Sequence, residues 1–456
     1  MNINQPFLSP WLAQLREDRH RYELVLNRDC DIAVVGAGIA GVSTTYYLMT
    51  RTSAKVALID AGRVAHGATG RNAGHVVAEF ERGLPDIARA FGIEMAAYGQ
   101  AALESAWDLL ADMRSTARMK TPFYECPSYT GYSTLEQVID ELETLAIRDK
   151  AGIAEKPLLI QAGCSELKDI PERLKKYTLE VPHSTILHAI ESEDPVFIAA
   201  SIERMGCTNS AAFCEELVAW MVEHYGDRLT VAEELPVQTI TLGSKHAVLA
   251  CSGRNITARR VVLCTNGFEN FTIINNAGAP IDPGFHASIQ GRIGYMAGYT
   301  DARAEGPAGL CYYRKQQESG PYYYLTRRPY TTLEGEEQSL YCIGGPERLL
   351  PDRAEYDPDR SIPPGLEENL DYEIRETFHD LPGSASLSFL WQGLMGYTRN
   401  TIRRVGFEPL NDTLLYNLGC NGVGIMPSVY GGKRIAQLVS GVRLPKSIFD
   451  PDLGHL

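Results

Sequence analysis

No run of 18 or more apolar residues occurs in this 456-residue chain, so no helix is expected to span a membrane. The N-terminus, MNINQPFLSPWLAQLREDRHRYEL, lacks a basic stretch followed by an apolar core, and a secretory signal is not expected. None of the 10 cysteines stands in a C-x-x-C pair and no zinc-ligand spacing appears, so no metal is expected. Reduced thiols in a cytoplasmic protein are the expectation. Cations are scarce: 43 Lys and Arg face 57 Asp and Glu, for a net charge of −14. That balance argues against nucleic acid or an anionic membrane as partner, and says little about a small substrate. The length favours two domains over one.

What is present begins at Asp31. Ile32 to Val35 reads as a buried parallel strand, followed at once by Gly36, Gly38 and Gly41 in G-x-G-x-x-G spacing. A helical segment runs to about Thr50, and a second strand from Lys55 to Ile59 ends in Asp60. This is the βαβ unit that cradles a dinucleotide. Gly36 permits the tight turn, Gly38 lets a pyrophosphate approach the backbone, and Gly41 lets helix and strand pack closely. The helix start offers free N–H groups and a positive dipole end. Gly36, Ala37, Gly38, Ile39, Ala40 and Gly41 are therefore candidate cofactor contacts, as are Asp60 and Ala61. An acid at Asp60 suits a ribose 2′-OH and repels a 2′-phosphate, favouring FAD or NAD over NADP.

A second glycine-rich run, Gly67 to Gly74 (GATGRNAG), follows. With it the chain resembles the D-amino-acid oxidase superfamily of FAD-dependent oxidoreductases, in the glycine oxidase, sarcosine oxidase and γ-glutamylputrescine oxidase branch. The resemblance implies that this loop runs beneath the pyrophosphate and ribityl chain of FAD, implicating Ala68, Thr69, Arg71, Asn72, Ala73 and Gly74, with His75 directly after. Small residues there allow close approach, and Arg71 suits phosphate charge. It also implies an α/β architecture: a Rossmann-like FAD-binding domain with a central parallel sheet, and an α+β substrate domain on a large, mostly antiparallel sheet. The expected division is a leader at 1–28, lying on the surface, then a discontinuous FAD-binding domain at 29–120, 190–285 and 386–456. The substrate-binding domain takes 121–189 and 286–385.

Further along, Val237 sits where the family makes a backbone contact to adenine. Val261 to Cys264 reads as a strand whose terminal turn, Thr265, Asn266 and Gly267, lies where the family holds the adenosine end. WQGLMGYT (391–398), with Gly396, resembles the strand at the far edge of the flavin. GCNGVGIMP (419–427) resembles the element that opens the last helix, implicating Asn421, Gly422, Val423 and Gly424. Lys433 and Arg434 are expected to face solvent. The family's G-x-x-H-P loop is absent, replaced by Asn209 and Ser210. In the tyrosine-rich run Tyr322 to Tyr324, alternation lets Tyr322 and Tyr324, or Tyr323 alone, face a cavity.

The implied function is oxidation of a C–N bond of a small amine or amino acid, by hydride transfer to flavin N5, with oxygen or another electron acceptor as partner. A 2-hydroxy-acid dehydrogenase, a biosynthetic tailoring flavoenzyme and a non-catalytic flavin-binding subunit remain open. No catalytic acid or base stands out; Arg292, Arg314 and Tyr324 are the candidates for substrate contact. Some relatives attach FAD through a cysteine near WQGLMGYT, but Met395 stands there, so non-covalent FAD is expected, with His75 the residue able to change this. Cys342 stands where sarcosine oxidases place an oxygen-activating lysine.

Overall fold

The computed structural model describes residues 7–16, 18–23, 28–154, 156–267, 270–303, 305–313, 323–351, 356–378 and 381–452. Among these residues two sheets form, of nine and ten strands. The first is built on a parallel core. Leu229–Ala232, Val56–Ile59, Arg28–Val35, Arg254–Leu263 and Asn411–Leu418 lie side by side in that order, each parallel to the next. The inner half of its central strand, Ile32 to Val35, is apolar because both faces are covered there. Ile32 and Val34 pack under the helices, while Ala33 and Val35 pack under a smaller β layer that includes Ile240, Leu249 and Ile273.

The crossover helix Ile39–Arg51 lies against the last helix, Ile425–Val439. A methyl group on Gly432 would come within 2.8 Å of the Ser43–Thr44 backbone, so the two helices approach almost backbone to backbone. The last helix is consequently buried on several sides. Arg434, expected to face solvent, turns inward instead and pairs with Asp450 at 2.5 Å.

The second sheet is mostly antiparallel. Thr130, Cys311, Tyr324, Gly344 and Met296 are register partners in one row across five strands. Two of its strands, Ala199–Thr208 and Ser386–Thr398, fall in segments assigned from sequence to the FAD-binding part. The first pairs with Phe123–Tyr132 and the second with Ile289–Asp301. The helix Leu135–Lys150 starts at a capping box, Thr134 with Gln137, and packs beside this sheet.

The N-terminal segment lies only partly on the surface: Arg16, Asp18, His20, Arg21 and Glu23 are exposed, whereas Ser9 to Leu12 and Leu15 are buried. Trp11 is buried, with the Arg328 guanidinium 3.5 Å above its ring centroid. No helix among the described residues is long and apolar enough to cross a membrane.

Candidate active site

A cavity of about 740 Å³ opens where the parallel strands end and runs to the face of the second sheet. Gly36, Gly38, Ile39 and Ala40 line it at one end, with Asp60, Ala61 and Val237. The geometry explains each glycine. Gly36 has φ +99°, and a methyl group there would lie 2.7 Å from the Cys264 carbonyl oxygen. One on Gly41 would lie 1.7 Å from the Gly36 carbonyl oxygen, so this residue stands behind the wall and sets the helix-to-strand approach. Asp60 accepts from the Ala37 N–H at 2.6 Å and the Gly62 N–H at 2.8 Å. Burial pushes its carboxyl up, while those two donors pull it back.

The loop at 67–74 forms the next stretch of wall through Gly67, Ala68, Thr69, Arg71, Asn72 and Ala73. It is held from three sides. Thr69 Oγ1 accepts from the Ile39 N–H at 2.9 Å, tying the loop to the crossover helix. Asn72 is spent inside the structure: Nδ2 donates to the Thr69 carbonyl and to Ser210 Oγ, and Oδ1 accepts from the Gly74 N–H. The N-terminal segment supplies the third side. Ser9 Oγ donates to the Gly70 carbonyl, Trp11 Nε1 donates to the Asn72 carbonyl at 2.6 Å, and Arg71 Nη1 donates to the Phe7 carbonyl at 3.0 Å. Gly74 stands behind the wall, where a methyl group would strike the Arg328 guanidinium.

From the opposite side come Thr265 and Asn266, and Gly422, Val423 and Gly424 at the start of the last helix. Asn266 Oδ1 accepts from the Cys420 N–H at 2.8 Å, joining the two turns. Gly267, Gly396 and Asn421 do not line the cavity. Gly267 packs on Ile289, Gly396 on the Asn266 carbonyl, and Asn421 Oδ1 accepts from the Thr398 N–H at 2.7 Å. They hold the two sheets together behind the site.

Tyr324 lines the cavity, with its hydroxyl 3.4 Å from Met296 Sδ. Tyr323, on the opposite face, donates to Asn369 at 3.0 Å. Arg292 is not a cavity wall: it pairs with Glu347 at 3.3 Å and stacks on Tyr397. Arg314 and Tyr322 lie outside the described residues. Met395 lines the cavity, whereas Cys342 is buried in the core away from it. His75 also lines it; its Nε2 is buried without a hydrogen-bond partner, and burial pushes the ring down to about 4.

Several cavity residues were not anticipated from sequence. Arg403 is buried and lines the wall, donating to Asn417 Oδ1 at 2.7 Å and the Asn417 carbonyl at 2.8 Å. No carboxylate among the described residues pairs with it, and burial pushes it down to about 10. Glu79 and Glu81 project from the extended segment after His75, and Glu141, Glu203 and Glu347 converge from a helix and two strands. Burial and the neighbouring Glu203 hold Glu79 well above the usual carboxylate range. Burial and Glu347 push Glu81 up to about 7. The alternation in HVVAEFE was the available signal: His75, Val77, Glu79 and Glu81 face the cavity, while Val76 and Ala78 are buried behind. Among the described residues no group of three or more His, Cys, Asp or Glu side chains is placed so that it could hold a metal ion.

The chain is similar to solved structures over nearly its whole length. Glycine oxidase from Geobacillus kaustophilus superposes with a TM-score of 0.65 at 18% identity, over 93% of this chain and 98% of that one. L-proline dehydrogenase from P. horikoshii gives 0.67 at 14% identity, over the same shares. By sequence the chain is 27% identical over 433 residues to a Rieske 2Fe-2S iron-sulfur protein of Bacillus subtilis (strain 168), covering 94% of this chain and 72% of that protein. Residues 31–438 match the FAD-dependent oxidoreductase (DAO) family, and with the helix starts, loop and Asp60 converging on one cavity, the chain belongs to that family.

Proposed function

We propose that the chain holds FAD non-covalently in this cavity and oxidises the C–N bond of a small amine or amino acid. One observation carries the reading: a single cavity joins two helix N-termini, the 67–74 loop and Asp60 to the Tyr324 face of the antiparallel sheet. The helix start suits the cofactor's pyrophosphate: Gly38 and Ile39 line the cavity there, and the close packing at Gly36 and Gly41 fixes the turn around them. Asp60 would take the adenosine ribose, and the loop residues with Arg71 the pyrophosphate and ribityl chain. When bound, FAD supplies a two-electron acceptor whose N5 takes a hydride from the carbon bearing nitrogen, leaving that amine as an iminium. The N–H groups at Gly422 to Gly424 and the Arg403 guanidinium would balance the charge gained on reduction. Met296, Cys311 and Tyr324 stand together on the opposite wall, on the antiparallel sheet.

In this reading 29–120, 190–285 and 386–456 form the FAD-binding part, and 121–189 and 286–385 the substrate part. The strands at 199–208 and 386–398 build the wall they share. The 10 cysteines are all free, which suits a reducing, cytoplasmic setting. Met395 supports non-covalent binding: acid precipitation should leave the flavin in the supernatant. A yellow pellet would contradict this, and release on His75→Ala would then identify the linkage.

Anaerobic mixing of the yellow protein with amines and amino acids tests the function itself. Bleaching of the flavin band is expected, and peroxide on re-aeration tells oxygen from another acceptor. A protein that purifies without flavin and fails to take it up sinks the reading.

A further inference from the structure

We propose that Arg328 tunes the bound flavin: its buried guanidinium, one backbone layer behind the cavity wall, is a fixed positive charge that raises the cofactor's reduction potential. This rests on the FAD-binding reading above and adds a residue that it does not use. Arg328 is 3% exposed, yet its Nη2 has no hydrogen-bond partner, and no carboxylate among the described residues pairs with it. The ionisable groups facing it are two thiols and two phenols, Cys207, Cys342, Tyr124 and Tyr330. The Trp11 ring covers it, with the guanidinium carbon 3.5 Å from the centroid. A cation buried in this way is unfavourable, and one ring face offsets only part of that. An anion held nearby in the working protein would offset the rest.

The strand Tyr323–Thr331 sets where the charge lies. Tyr324, Thr326 and Arg328 share one of its faces. Tyr324 lines the cavity, Thr326 Oγ1 donates to the Ala73 carbonyl at 3.3 Å, and Arg328 fills the space beside Gly74. Gly74 has φ +69° and lies between Ala73 and His75, both of which line the cavity. A side chain at 74 would displace the guanidinium, so the glycine brings the charge up to the wall. Trp11, itself buried, shuts water off from the other side. In so dry a setting a charge acts over several ångströms with little screening.

Hydride uptake adds one negative charge to the flavin ring, because two electrons arrive with one proton. Arg328 favours the charged, reduced ring over the oxidised one, and so favours reduction. Its own neighbours leave that charge standing. Burial pushes the Cys342 thiol up to about 12, so it stays protonated. Cys207 is pulled down, chiefly by its hydrogen bond with Cys126, and is the neighbour whose ionisation would cancel the guanidinium.

The test is the reduction potential of the holoenzyme, read by equilibration with a dye of known potential while xanthine oxidase supplies electrons. Arg328→Met keeps the bulk and removes the charge. Its flavin should be at least about tenfold harder to reduce at equilibrium, or about 30 mV for a two-electron couple. Arg328→Lys keeps the charge without the planar group on Trp11, and should stay within about threefold of wild type. Cys207→Asp sets a carboxylate against the guanidinium and should lower the potential as Arg328→Met does, whereas Cys207→Ser should leave it unchanged. Equal potentials in wild type, Arg328→Met and Cys207→Asp would overturn the proposal, reduce Arg328 to a stacking partner of Trp11 and leave FAD binding standing. A higher potential in Cys207→Ser would also overturn it, since a thiolate would then already cancel the charge. If Arg328→Met holds no flavin, Arg328→Lys and Cys207→Asp decide. Loss of flavin from all three would count against tuning, because the guanidinium would then be needed to build the loop. A wild-type protein that takes up no flavin sinks the functional reading and the proposal together.

Discussion

Gly41 leaves no room for a methyl group: its Cβ would sit 1.7 Å from the Gly36 carbonyl oxygen, an atom fixed by the turn it belongs to. Gly41→Ala must therefore push helix from strand, and a loss of about 1–3 kcal/mol is expected from overpacking alone. Because both partners form the proposed cofactor cradle, the ratio of flavin to protein absorbance should drop with the melting temperature. Gly284→Ala, with open space around its Cβ, is the control and should leave both unchanged. Glu81 gives a pH signature. Its carboxyl is raised from 4.5 to about 7 by burial and Glu347, so the folded chain holds a proton that the unfolded chain has released. The stability it contributes is fully present below about pH 4.5 and is lost as pH rises through about 7. Melting curves of wild type and Glu81→Gln between pH 5 and 8 should differ in that direction, the variant declining less. An identical decline in both would show that Glu81 does not carry the proton.

At the scale of elements, the N-terminal segment acts as a brace. Trp11 is buried, and its indole N–H is the donor that fixes the Asn72 carbonyl of the 67–74 loop. Trp11→Phe keeps much of the apolar bulk and removes that donor. A loss of about 1–3 kcal/mol is expected, with weaker flavin retention on ultrafiltration. Unchanged retention at a lowered melting temperature would mean that the segment stabilises the fold without shaping the loop. This brace was not legible in the sequence, because bonds across some 60 residues leave no local pattern. The βαβ unit was legible for the opposite reason: turn, helix start, strand and acid follow one another, each with its own steric requirement. Tyr324 was legible through simple alternation along a strand. The cavity glutamates were legible only in part: alternation in HVVAEFE marks Glu79 and Glu81, whereas Glu141, Glu203 and Glu347 come from a helix and two strands far apart in the chain. Arg434 misled because an exposed face was assumed for a helix that is covered by its neighbours.

At the scale of the whole molecule, the cavity lies between two sheets, and the contacts behind it decide whether they melt together. Trp391 Nε1 donates to the Arg71 carbonyl at 3.1 Å, the Thr398 N–H donates to Asn421, and Gly396 rests on the Asn266 carbonyl. Each joins the wide antiparallel sheet to a loop of the cofactor side. FAD bound between them would be held by both, so its binding energy should appear as stability of the entire chain. Free FAD at a hundred times its dissociation constant adds about 2.7 kcal/mol, which in a chain of this size moves the melting temperature by a few degrees. A single transition is therefore expected in the holoenzyme, with protein unfolding and the rise of released-flavin fluorescence at one temperature, and that temperature climbing with added FAD. Flavin release well below the main transition, or a melting temperature indifferent to FAD, would mean that the two halves are joined by their own contacts and that the cofactor is a passenger in the stability of the fold.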